Sequence, residues 1–278
     1  TSFDLQQFVY ISHHSLYGKA RDGMFTDEDW QLTLTRAPVL QTVETKPRFA
    51  DATRLFLSKN EVKRYNGKKV RGIGNPVLKS AANYNCATAE RAPSDAAGGL
   101  EKLRVLVNGS KVMLTKNLWQ EVGLVIGICG EVVEIVYAEG WQAPAPPHYV
   151  VVLFQGFIYR GRVPISAVEA TWSACGENGE GSTMTRAQLP LKLCWTLTML
   201  KSQGQTLSIS VTYLGKIEAC KGLTFVCLCR TKRIVDLIVY LMPFDRLNRL
   251  GQSPVLKARL VEEVRPRLLA DQMRNGQQ

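Results

Sequence analysis

Histidine is scarce in this 278-residue chain, and the three present (His13, His14 and His148) have no acidic partner at catalytic spacing. They receive no role as proton shuttles or metal ligands. Seven cysteines (Cys86, Cys129, Cys175, Cys194, Cys220, Cys227 and Cys229) are odd in number, scattered and set mostly in apolar runs. That is the usage of a reduced, intracellular compartment rather than a disulfide framework. Cys227 and Cys229 would share a face on a strand, but no second Cys or His pair lies at zinc-ligand spacing, which argues against a metal site. No apolar run approaches the length of a membrane span, and no charged-then-apolar segment opens the chain, so no membrane partner of that kind is expected. The chain starts at Thr1 rather than Met, as expected of a piece of something longer.

What is present is a core and a surplus of positive charge. Hydrophobic residues make up 45% of the chain, enough for one large or two modest domains. Lys and Arg total 35 against 24 Asp and Glu, a formal charge of +11. That balance favours an anionic partner, nucleic acid ahead of a membrane surface; the bland alternative is that it serves solubility alone.

The rest of the chain is organised around residues 189–206, LPLKLCWTLTMLKSQGQT. After the Pro190 boundary, Leu191, Leu193, Trp195, Leu197 and Met199 predict a buried strand or short helix, which ends abruptly in the turn Lys201-Ser202-Gln203-Gly204. A cation, a hydroxyl, an amide and a bare backbone at one edge are phosphate-facing groups, or else an ordinary surface turn.

In front of it, Thr26 with Asp29 predicts a capped helix carrying Trp30, Leu32 and Leu34 up to Pro38. A two-proline loop over residues 37–50 separates it from a strand over residues 52–57. Ser58 and Glu61 then form a second capping pair. Strand, polar turn and helix start make the unit from which α/β nucleotide-binding sheets, and many other sheets, are assembled. A basic cluster (Lys68, Lys69, Arg71 and Lys79) reads as a solvated loop or a phosphate contact, and residues 92–99 as an exposed excursion. From Gly109 the character changes. Strand candidates over residues 112–115, 130–137 and 149–154, with bends at Gly123, Gly127 and Gly130, suggest a small barrel. Residues 141–148 are Pro-rich, and residues 156–188 are rich in Gly, Ser, Thr and Glu. Strands are expected again over residues 207–214 and 234–240. Between them the apolar run 222–229 emerges at Arg230, well placed to meet a phosphate. Short amphipathic helices are expected over residues 244–274.

Four ordered blocks carry a family resemblance: ADATRLFLSKNEVKRYN (residues 50–66), GSKVMLTKNLWQEVGLVIGICGEVVEIVYAEG (109–140), LPLKLCWTLTMLKSQGQTL (189–207) and GLTFVCLCRTKRIVDLIV (222–239). In that order they resemble the C-terminal half of superfamily-one, ATP-dependent DNA helicases of the Pif and RecD type, in their Pif-like or Helitron-like versions. The resemblance implies an α/β fold: a RecA-like, P-loop NTPase-type second motor domain with a parallel sheet, interrupted by an SH3-like β-barrel insertion. On that plan residues 1–48 are the tail of a first RecA-like domain. Residues 49–108 and 189–245 form the second, 109–188 the barrel and 246–278 a helical tail.

The resemblance also implies roles. Arg230 matches the finger that stabilises charge on the γ-phosphate of ATP held by the first domain. Thr198, Lys201, Ser202, Gln203 and Gly204 match the element coupling nucleotide state to the strand. Lys116, Asn117 and Trp119 lie at the mouth of the barrel, toward DNA. The implied activity is ATP hydrolysis, with Mg²⁺, driving 5′→3′ translocation on single-stranded DNA by a monomer, in the nucleus ahead of the mitochondrion. Three positions depart from the family pattern: Leu200 replaces a histidine, Cys229 a serine and Ile126 an asparagine. No G-x-x-x-x-G-K-[ST] occurs in the 278 residues and no acidic Mg²⁺-holding strand precedes residue 50, so hydrolysis is expected to need the missing first domain. The reading from another class is a non-catalytic single-stranded nucleic-acid-binding module of helicase descent.

Overall fold

The computed structural model describes residues 18–19, 24, 26–154, 161–175, 181–215, 222–240, 258 and 262. Helix α1 (Asp27–Leu34) leads to strand β1 (Thr53–Phe56), helix α2 (Lys59–Ile73), strands β2 (Leu78–Ala81) and β3 (Asn83–Tyr84), and the short helix α3 (Ala87–Arg91). Strands β4 (Leu103–Leu106), β5 (Lys111–Leu114), β6 (Cys129–Val136), β7 (Tyr149–Phe154), β8 (Arg162–Ile165), β9 (Val168–Cys175), β10 (Gly181–Gln188) and β11 (Leu191–Leu193) come next. Strands β12 (Thr196–Thr198) and β13 (Ser210–Tyr213), helix α4 (Leu223–Leu228) and strand β14 (Leu237–Tyr240) follow. The chain divides into two compact units, one of Thr1–Val62 with Thr196–Gln278, the other of Lys63–Trp195.

The first unit holds a four-stranded sheet in the order β12-β1-β13-β14, every pair parallel. Phe49, Ala52, Val211 and Ile238 form a buried cluster on it. Helices α1 and α2 start where the sequence says they should. At α1 the Thr26 hydroxyl accepts from the Asp29 amide and the Asp29 carboxylate accepts from the Thr26 amide, a reciprocal cap. Burial pushes the Asp29 carboxyl up, but the hydrogen bonds from Thr26 and Lys19 outweigh it and hold the group below its ordinary value. Ser58 and Glu61 form the same box ahead of α2, with the Glu61 amide 3.1 Å from the Ser58 hydroxyl. Arg36, just past α1, reaches strand β14, where its Nε donates to the Leu237 carbonyl at 2.9 Å.

The second unit is built on a five-stranded antiparallel sheet, β11-β5-β6-β7-β8, over a core that includes Leu106, Val112, Leu114, Val132, Val150, Val152, Ile165 and Leu191. Gly130 is required in β6. A Cβ there would lie 2.7 Å from the Leu153 carbonyl oxygen and 2.7 Å from a Val152 methyl, closer than real Cβ atoms come. A three-stranded sheet, β3-β10-β9, and the pair β2-β4 complete the unit.

Several expectations are corrected. Residues 156–188 hold three strands that no strand candidate covers, because in β9 and β10 the few bulky apolar residues, Val168, Trp172 and Met184, are spread among Thr, Ser, Ala and charged residues. Residues 92–99 are not an exposed excursion throughout: Ala97 is fully buried. The fully buried Arg186 donates to the carbonyls of Ala89 and Ala92 at 2.7 Å and of Leu100 at 2.9 Å, which fastens the segment down. Its guanidinium also lies over the rings of Tyr84 and Trp172. Lys68, Lys69 and Arg71 sit on α2, not in a loop. The apolar run from Leu223 is a helix with all six residues buried, a case in which period cannot separate helix from strand. Cys227 and Cys229 accordingly do not share a strand face. The expected tail helices over residues 244–274 fall almost wholly outside the described residues.

Candidate functional site

Strand β12 delivers the Lys201–Gly204 turn at the carboxyl end of the parallel sheet, the side on which open α/β sheets hold ligands. As β12 ends, the Met199 amide donates to the Phe56 carbonyl at 3.0 Å and fixes the exit. A single 3₁₀ turn, Leu200–Ser202, follows. Ser202 is fully buried and its hydroxyl donates to the Met199 carbonyl at 2.7 Å, so that side chain holds the turn together and does not face outward. Lys201 is exposed, and Gln203 and Thr198 are half-buried. Gly204 has φ of 82°, a left-handed conformation that a side chain would strain. The turn is then closed by the Gln205 amide donating to the Ser202 carbonyl at 3.0 Å.

Arg230 follows α4 and folds back onto this turn. Its Nη1 donates to the carbonyls of Ser202 and Gln205, each at 3.2 Å, and its Nε to the Val226 carbonyl at 2.7 Å. Nη2 meets the Cys229 sulfur at 2.9 Å, a weak acceptor. Burial raises the Cys229 thiol above its ordinary value in spite of the neighbouring guanidinium, so the group stays a neutral thiol. The Leu207 amide donates to the Arg230 carbonyl at 2.8 Å, a backbone tie between turn and arginine. The structure thus brings together Thr198, Lys201, Ser202, Gln203, Gly204 and Arg230 in one unit. Arg230 is 7% exposed, so its charge is spent largely on backbone carbonyls.

Lys116, Asn117 and Trp119 lie in the other unit, on a hairpin that leaves β5. Trp119 and Leu124 pair across the turn, with the Leu124 amide donating to the Trp119 carbonyl at 2.9 Å. The Asn117 side-chain oxygen accepts from the Ile126 amide at 2.8 Å, which braces the hairpin from its base. Trp119 is 55% exposed and its indole N–H donates to Glu121 at 2.7 Å, leaving a broad aromatic surface in solvent beside exposed Leu118 and Ile126. Apolar surface of this kind at a hairpin tip is what base stacking uses.

A third constellation had no signal in the sequence. Asp236, 7% exposed at its side chain, takes Arg233 at 2.7 Å and is also paired with Arg48. The Arg233 hydrogen bond, with the charges of Arg48 and Arg36, holds the Asp236 carboxyl below its ordinary value although burial opposes it. Arg48 and Asp236 are 188 positions apart, so spacing could not reveal the pair. Among the described residues no group of three or more His, Cys, Asp or Glu is placed to hold a metal ion, and no helix is long and apolar enough to cross a membrane.

No family model matches the chain. The human ATP-dependent DNA helicase PIF1 is 32% identical to it over 195 residues, which cover 70% of this chain and 28% of that protein. Over that stretch the chain resembles Pif1 helicases. The zebrafish (Danio rerio) PIF1 is 31% identical over 199 residues, with the same shares, so this Pif1 relative spans just over a quarter of the curated proteins it matches. The crystal structure of Pif1 helicase from Candida albicans superposes with a TM-score of 0.66 at 21% identity, covering 94% of this chain and 58% of that one. The Bacteroides Pif1 bound to ssDNA gives 0.62 at 16% identity, covering 90% and 52%. The likeness to these structures is one of fold, a mixed α/β architecture whose parallel sheet fits a RecA-like domain.

Proposed function

We propose that this chain supplies the second RecA-like motor unit and the DNA-facing insertion of an ATP-dependent 5′→3′ DNA helicase. The reading is carried by one observation: Arg230 is tied through its Nη1 to the carbonyls of Ser202 and Gln205, so the arginine and the Lys201–Gly204 turn move as one piece. An arginine that senses a γ-phosphate and a turn that touches a DNA strand need such a mechanical link. The weak Cys229 acceptor on Nη2 gives a phosphate oxygen a position to take. In this reading the five-stranded antiparallel sheet is the SH3-like insertion, Trp119 stacks on bases of single-stranded DNA, and Lys116 and Asn117 flank it.

This chain fits the nucleotide at one contact, since its sequence has neither a phosphate loop nor an acidic strand for Mg²⁺ in front of β1. Both are to come from a first RecA-like domain, and hydrolysis by residues 1–278 alone is not expected. The test is ATPase activity stimulated by single-stranded DNA in a chain that also carries such a domain. Turnover that collapses with Arg230→Lys supports the assignment, and turnover equal to the unsubstituted protein rejects it. The second reading, a non-catalytic strand-binding module, rests on the exposed Trp119 hairpin, which is braced by its own hydrogen bonds. It predicts single-strand binding by this chain without any nucleotide dependence in the longer one.

A further inference from the structure

Helix α2 carries the sequence KNEVKRYNGKKVRGI, with six cations (Lys59, Lys63, Arg64, Lys68, Lys69 and Arg71) and one acid. That acid, Glu61, is engaged at the N-terminus, where its carboxylate accepts from Ser58. It is therefore not available to neutralise the cations further along. The face of the helix turned to the protein is set by buried Asn66 and Val70, with Tyr65 and Ile73 packed against Val70, Val107 and Trp195. Arg64, Lys68 and Arg71, at i, i+4 and i+7, form a stripe on the opposite face, and all three are exposed. They span about 10 Å along the axis, given a rise of ~1.5 Å per residue. Gly67 and Gly72 flank the stripe, and a Cβ at Gly72 would meet nothing within 4 Å, so the surface is low and open to a rigid partner. The helix itself brings no aromatic residue to this face, because its one ring, Tyr65, packs inward.

We propose that the outward stripe Arg64, Lys68 and Arg71 binds the phosphate backbone of duplex DNA, at a place separate from the Trp119 hairpin. A single strand is gripped by stacking as well as charge, and this face offers charge alone. A duplex presents a stiff row of phosphates, about one charge per 1.7 Å of axis, which three cations on a straight helix complement without base contacts. The inference rests on DNA being the partner, as proposed above, but not on the single-strand contact.

The experiment measures binding of a short labelled blunt duplex and of a labelled single strand over a range of salt, for the chain and for a variant with Arg64→Gln, Lys68→Gln and Arg71→Gln. Glutamine keeps helix propensity, and a second variant with Arg64→Lys and Arg71→Lys keeps the charge. The expected result is a duplex salt slope shallower by about 2–3 in the glutamine variant, since each phosphate contact contributes ~0.9. The single-strand slope and the lysine variant should stay near the unsubstituted values. A duplex slope unchanged by the glutamines overturns the proposal, as does an equal loss on the single strand, or preference for anionic vesicles over duplex. Should the unsubstituted chain bind duplex with this dependence yet ignore the single strand, the Trp119 assignment fails and the stripe stands.

Discussion

The guanidinium of Arg230 lies 3.2 Å from the carbonyl oxygen of Ser202, so the residue matching the family's phosphate sensor is bonded to the turn matching its strand coupler. The arginine therefore has two tasks, one in folding and one in chemistry, and they separate by substitution. Arg230→Ala removes one donor each from the carbonyls of Val226, Ser202 and Gln205, and is expected to lower stability by about 1–3 kcal/mol. Arg230→Lys keeps a charge but lacks the planar fork. In a chain supplied with a first RecA-like domain, it should cut ATPase by about 10³-fold or more while circular dichroism and melting stay near normal. A loss under tenfold with an intact fold would show that the residue is structural.

Trp119 separates the same two roles from the opposite side. More than half of it is exposed, so Trp119→Ala should leave the melting temperature within about a degree of the parent, in line with a surface substitution of under ~0.5 kcal/mol. Its effect on single-strand binding should be about 1–3 kcal/mol, the range for one base stacked on one ring. Anisotropy with a labelled oligonucleotide measures this directly, and unchanged affinity would remove the hairpin from the DNA contact.

Local chemistry was legible in the sequence, and distant chemistry was not. Thr26 with Asp29 and Ser58 with Glu61 announced both helix starts, because capping is decided by residues three positions apart. The turn after Met199 was likewise readable from an apolar run ending in polar residues, whereas the burial of Arg230 was not, because its acceptors are the backbone carbonyls of Val226, Ser202 and Gln205. Strands β9 and β10 were not, since their many small and polar residues resemble a loop until the partner strand supplies the pairing. Arg186 could not be read either. It is a basic residue in a polar stretch, and its acceptors at Ala89, Ala92 and Leu100 lie 86–97 positions away. Nor could Ser202 be seen to spend its hydroxyl on the Met199 carbonyl, a matter of turn geometry and not of residue type.

Arg186 yields a stability prediction for the second unit. Its guanidinium is buried, donates to three carbonyls within 3.0 Å and lies over two aromatic rings. Arg186→Leu fills a similar volume with an apolar chain but strands those carbonyls, so a cost of about 3 kcal/mol or more is expected from several unsatisfied groups together. Urea unfolding followed by tryptophan fluorescence reads it, and a midpoint equal to the parent's would mean that water replaces the arginine without penalty.

Asp236 makes the stability of the first unit depend on acidity. Its partner Arg233, with Arg48 and Arg36, holds the folded carboxyl below its ordinary 3.8, against the opposing effect of burial. The ionised form is therefore favoured by folding. The contribution is fully present above about pH 4, and is lost as pH falls below the ordinary value and through the folded one, because the folded state must then take up a proton that breaks the pair. Asp236→Asn should accordingly lower the melting temperature at pH 7, and the gap between variant and parent should narrow steadily toward pH 3. Arg48→Gln, which removes one partner but leaves Arg233, should show the same trend with a smaller gap. A gap that stays constant from pH 7 to pH 3 would show that the carboxylate charge contributes nothing, and that Asp236 acts through its shape alone.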